Sequence, residues 1–283
     1  MKKILKWLKI HLWAAFLLYQ FFVFALAFGF LTSIRKLTGR EIHLGRDPLG
    51  LIDGLALIFL SVGVIFLTHR FYHFLKSDSA KSLGIAFSFS RLLQMLFGLA
   101  LGFAFFIAPW VNAVLRGTAT ITDRIDFHFD KFSAVKILSF ALVLLILQAF
   151  MEETVNRAFP LRIWEHRSLL FRLFFPSIIF ALIHLADEQF NLERFGVLIM
   201  AGIIQSFAYL LTENIWFTSG LHAGANIASF SITGLWHAGA LVSITGETAI
   251  QNWMTTLIIL VLISSTFFLK QKFIKNDSVL NFG

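Results

Sequence analysis

Glu152-Glu153-Thr154-Val155-Asn156-Arg157 sets two adjacent carboxylates just ahead of a guanidinium. The stretch closes an apolar run, 132–151, whose only charged residue is Lys136. A run of that length is membrane-spanning material. One ionised side chain near the bilayer centre costs about 2.5–3.5 kcal/mol on insertion scales. Three of them within a turn and a half of helix would cost on the order of 10 kcal/mol if left unpaired. Use explains their presence better than tolerance does.

Composition agrees with a membrane setting. The 283 residues are 58% hydrophobic and 14% charged, with 35 Phe. So few charges cannot cover a soluble surface of that size, and the expected fold is all-α, a polytopic transmembrane helix bundle. The formal net charge of +8 is not a nucleic-acid signal. Its Lys and Arg residues lie between apolar runs, where topology and anionic membrane lipids account for them. There is no cysteine, which excludes disulfides, thiolate metal sites and a Cys nucleophile.

Apolar windows predict about eight spans, near 12–31, 50–68, 92–112, 133–155, 173–188, 195–211, 215–232 and 252–269. The fifth is the shortest. Ala25-Leu26-Ala27 has the look of a signal-peptidase site, but the apolar run continues past it, so an uncleaved first span is expected. Segments 32–48 and 116–131 read as polar connections, and 68–91 as a basic one. Segment 157–172 alternates Arg with apolar and aromatic residues, as an interfacial amphipathic stretch would. With the N-terminus inside, about fifteen of the 24 Lys and Arg fall on the inner side, and the 233–251 connection has none. Both termini are therefore expected in the cytoplasm, at the plasma membrane if the source is bacterial.

Glu153 and Arg157, four apart, share a helix face and can pair. Glu152 points about 100° away, toward another partner. This suggests that one carboxylate holds the arginine and the other is left as a base. In the fifth span His184 follows Phe180 by one turn. In the seventh, Asn226 follows His222 by the same spacing, with Gly220, Ala223 and Gly224 allowing close approach. Each motif has a plain reading: an ion-paired helix end, a hydrogen-bonded interior histidine, an interhelical polar contact. Together they place two carboxylates, an arginine, two histidines and an asparagine on three spans. Their depths agree, since His184 lies about 18 Å along a helix from Arg172. Polar groups at such depth face a bundle interior or a wet cavity.

The ordered blocks Glu-Glu-x-x-x-Arg, Phe-x-x-x-His and His-x-x-x-Asn resemble the CAAX-protease and bacteriocin-processing family of intramembrane endopeptidases. The resemblance covers about 150–230. It implies a variable N-terminal set of transmembrane helices, 1–130, and a catalytic helical core, 131–283, in one integrated membrane domain. It also implies hydrolysis of a peptide bond in a membrane-associated or lipidated peptide or protein. Glu152 and His184 would activate water, His222 and Asn226 would serve the oxyanion, and Glu153 would orient the site through Arg157. Phe180 would line the substrate pocket. The family usually has Phe-Arg-Gly within the first block, whereas this chain has Asn156-Arg157-Ala158.

Members have been described both as metalloproteases and as glutamate proteases. Glu152, His184 and His222 could form a three-ligand zinc site. No His-Glu-x-x-His is present, and the reading favours no obligatory metal. Ser219 lies near His222, but no Gly-x-Ser-Gly precedes it, and no Gly-x-Gly-Asp marks an aspartyl enzyme. Two other classes compete: a non-catalytic membrane protein, such as a bacteriocin self-immunity factor or scaffold, and a proton-coupled transporter. The substrate and the oligomeric state are not legible.

Overall fold

The computed structural model describes residues 7–8, 11–39, 51–76, 83–124, 131–184, 192–233 and 242–246. They form an all-helical bundle: α1 (Leu12–Thr38), α2 (Leu51–Leu75), α3 (Phe89–Leu115), α4 (Lys131–Glu153), a short α5 (Phe159–Ile163), α6 (Leu169–His184), α7 (Leu192–Thr212) and α8 (Ile215–Thr233). A single π-turn, Thr154–Ala158, joins α4 to α5. The seven long helices fall on the first seven expected spans; the eighth, 252–269, lies outside the described residues. Stretches in α1, α2, α3 and α7 are long and apolar enough to cross a membrane. At 16 residues, apolar α6 is shorter than a full crossing.

Two strands were not expected. β1 (Ala119–Arg124) pairs antiparallel with β2 (Val242–Gly246), inside the 116–131 and 233–251 connections. The pairing puts the connections after α3 and after α8 on one side of the bundle, as alternating spans require. At the other end Trp216 Nε1 donates to the carbonyls of Ile85 and Ala86, at 3.2 and 3.1 Å, and Asn214 donates to Gln94 at 2.9 Å.

The closest helix pair is α3 with α8, and glycine is the reason. Gly98 and Gly102 face the carbonyls of Phe217 and Leu221, while Gly220 and Gly224 face those of Met95 and Leu99. A Cβ at any of the four would overlap the opposing backbone. With no hydrophobic drive between helices in lipid, such close packing holds them together. His222 sits two residues from each glycine of α8, about 200° around the helix. Clamping the glycine face to α3 therefore turns His222 and Asn226 the other way, into the bundle.

A second core joins α1, α2, α5 and α6 through aromatic rings. Phe16 meets Phe159 and Trp164 at centroid distances of 6.1 and 5.0 Å, and Tyr19 meets Phe71 and Phe159 at 4.9 and 5.2 Å. This corrects the expectation for 157–172. Arg157 to Trp164 is buried rather than interfacial, and exposure begins only beyond Trp164. The π-turn and Pro160 carry the chain on into the bundle, where Arg162 finds polar partners.

Candidate active site

The end of α4 delivers both carboxylates. Glu153 is wholly buried, with Oε2 3.7 Å from Arg157 Nε and Oε1 2.9 Å from His222 Nδ1. Glu152 points elsewhere, as its helical offset demands. Its Oε1 accepts from Gln148 Nε2 at 2.9 Å, one turn back on α4. Its Oε2 is buried, has no hydrogen-bond partner among the described residues, and lies 3.6 Å from His184 Nε2 and 3.8 Å from His222 Nε2. Gln148 was missed in the sequence; its only signal was an amide four residues before Glu152 in an otherwise apolar run.

Both imidazoles are oriented through Nδ1. His184 Nδ1 lies 2.9 Å from the Phe180 carbonyl, and a carbonyl oxygen can only accept, so that nitrogen carries the hydrogen. His222 Nδ1 donates likewise to the Glu153 carboxylate. Each Nε2 is thereby directed at Glu152 and carries a proton only when its ring holds both. Three groups able to trade protons thus meet around one carboxylate oxygen.

Phe180 binds the cluster together. Its ring lies 4.2 Å from the Arg157 guanidinium carbon, 4.1 Å from the His184 ring and 6.3 Å from the His222 ring. A cation over an aromatic face is a favourable contact in a dry setting. The guanidinium is otherwise poorly served. Arg157 is wholly buried, and none of its three side-chain nitrogens has a hydrogen-bond partner among the described residues.

Arg157, Phe180, His184, His222 and Asn226 line one cavity of about 690 Å³. Its remaining wall is mostly apolar: Phe105 and Phe106 of α3, and Val197, Met200 and Ile204 of α7. Gln205 and Ser229 add polar points that the sequence did not single out. Five of the seven expected site residues thus line this cavity; Glu152 and Glu153 do not, and reach it through their contacts with His184 and His222.

Tetrahedral zinc bound at about 2.0–2.2 Å sets neighbouring ligand atoms about 3.3–3.6 Å apart. The Glu152–His184 separation of 3.6 Å is at the upper end of that range, and the Glu152–His222 separation of 3.8 Å lies just beyond it. No group of three His, Cys, Asp or Glu among the described residues forms a metal-holding set. No step below passes through a metal.

No curated protein and no solved structure matches this chain. Residues 134–228 match the family model described as Rce1-like, type II CAAX prenyl endopeptidase. That stretch carries every residue of the cluster, from Gln148 to Asn226, and with four membrane-length apolar helices it fits a CAAX-protease-type enzyme integral to the membrane. The match covers about a third of the chain, and over that stretch the chain is similar to the CAAX-protease and bacteriocin-processing family.

Proposed function

We propose that the chain hydrolyses a peptide bond in a membrane-associated substrate, of which a prenylated CAAX tail is the first class to test. One observation carries this reading. The buried Oε2 of Glu152 has no hydrogen-bond partner among the described residues and lies between two imidazole Nε2 atoms at 3.6 and 3.8 Å, beside a mostly apolar cavity. Gaps of that size are longer than direct hydrogen bonds and leave the oxygen free to accept a proton.

Glu152 takes a proton from a water held against His184, and the oxygen bonds to the scissile carbon. The carbonyl oxygen becomes an oxyanion. It receives the Asn226 amide and, when the ring carries both protons, His222 Nε2–H. Donors fixed in a low-dielectric site and aimed at developing charge lower the barrier because nothing reorganises at the moment of reaction. The proton on Glu152 passes to the leaving amine as the C–N bond breaks. Glu153 does no bond-making; it holds His222 through Nδ1 and balances Arg157. The cavity takes the apolar part of the substrate, and the site lies toward the expected cytoplasmic end of the bundle.

The test uses the full chain in lipid nanodiscs and an internally quenched peptide ending in farnesylated Cys-aliphatic-aliphatic-X. The wild type is expected to release the C-terminal tripeptide, and Glu152→Gln and His184→Ala are expected not to. Comparison of peptide termini in cells carrying wild type or Glu152→Gln extends the test to other membrane peptides. Identical termini in both, with no cleavage of the prenylated probe, would sink the hydrolase reading.

A further inference from the structure

The departure at Asn156 has a partner far away in sequence. Gln20, in the middle of α1, donates from Nε2 to Asn156 Oδ1 at 3.0 Å and lies 3.4 Å from the Val155 carbonyl. Both side chains are buried, at 7% and 8% exposure. The π-turn explains why Val155 needs help. The Phe159 N–H bonds the Thr154 carbonyl, in the i→i+5 pattern. The next donor in that pattern would be residue 160, a proline, which has no N–H. The Val155 carbonyl is thus left without a ladder donor, and the amide of α1 supplies one. Thr154 serves the same turn by donating to the Phe150 carbonyl at 2.7 Å. In surroundings with no water to stand in, a carbonyl and an amide that satisfy each other fix the two segments in register.

We propose that Gln20 is a positioning residue for the reaction: it pins the π-turn, and so sets Arg157 and Glu153 against Phe180 and His222. It rests on the hydrolase reading above. Gln20 lies outside the matched region 134–228 and is paired with the position where this chain departs from the family's pattern. The cavity walls come from α3, α6, α7, α8 and Arg157, with no residue of α1. Loosening the turn should therefore disturb the chemistry more than the fit of the substrate.

The test compares full-length wild type, Gln20→Leu and the exchanged pair Gln20→Asn/Asn156→Gln, which keeps both amides. With the farnesylated peptide, Gln20→Leu should lower kcat about tenfold with KM within about twofold, and the exchanged pair should return kcat to within about threefold of wild type. Hydrogen exchange at 154–161 should speed up in Gln20→Leu and return in the exchanged pair. A wild-type kcat in Gln20→Leu, an exchanged pair no better than the single variant, or unchanged exchange at the turn each overturns the proposal. If the wild type itself cleaves nothing, the hydrolase reading has failed. The exchange measurement then still decides whether Gln20 pins the turn.

Discussion

Arg157 and Arg162 sit five positions apart on one stretch of chain, both are buried, and they live in opposite circumstances. Arg162 is provided for. Its Nε donates to the Tyr209 hydroxyl at 3.2 Å, and its Nη2 to the Glu213 carbonyl at 3.4 Å, with that residue's carboxylate 3.7 Å away. Tyr209 in turn donates to the Leu83 carbonyl at 3.3 Å. Arg157 has a carboxylate at 3.7 Å, an aromatic face, and no hydrogen bond from any of its nitrogens among the described residues. Proteins pair their buried polar groups almost everywhere, so the exceptions carry information. The satisfied cluster ties α5 and α7 to the 83–88 connection and makes structure. The unsatisfied one borders the cavity.

If that contrast is sound, substitutions in the two clusters should separate chemistry from stability. The largest effect is expected at Glu152→Gln, which keeps shape and loses the base. Turnover of the prenylated peptide should fall about 10²–10⁴-fold, with no drop in the thermal unfolding midpoint. A variant that melts earlier and cleaves normally would reverse the assignment. Asn226→Ala comes next, with kcat lower by about 10²–10³-fold and KM little changed, as for loss of one oxyanion donor.

Arg162→Met sharpens the comparison from the other side. It leaves Tyr209 and the end of α7 without their shared donor and should cost about 1–3 kcal/mol of stability, read as a lower midpoint. Its kcat, corrected for folded protein, should stay within about twofold of wild type, because nothing in its cluster touches the cavity. A collapse of kcat at an unchanged midpoint would show that the two clusters act as one. The smallest effect is reserved for chelation: after dialysis against EDTA, activity should stay within about twofold, since the proposed steps use only side chains and no metal-holding group of three is found among the described residues. Loss on dialysis with recovery on adding zinc would overturn that.

Part of this was readable before any coordinates. Periodicity placed Glu153 and Arg157 on one face and Glu152 on another, and the structure has Glu152 turned toward the imidazoles and Glu153 toward Arg157 and His222. The glycines around His222 announced a close neighbour, and α3 is that neighbour. The same reasoning failed over the first half of 157–172, residues 157–164, where alternation of Arg with apolar residues looked interfacial. Alternation records which side chains share a face, not what covers the face. Here α1, α2 and α7 cover it, and the polar partners of Arg162 come from residues 209 and 213.

The sequence alone determined that the chain lives in lipid and that its few polar residues would seek company. Both follow from counting, because the penalty for a charge in hydrocarbon depends on composition and depth and very little on topology. It also determined the helical faces, which are local geometry. Only the tertiary structure decided who the company is. Which nitrogen meets Glu152, what completes the Val155 carbonyl, and why Arg162 is at rest while Arg157 is not are all contacts between segments distant in sequence. Hydrogen bonding acts over about 3 Å, and a linear sequence holds no distances at that scale between residues 20 and 156.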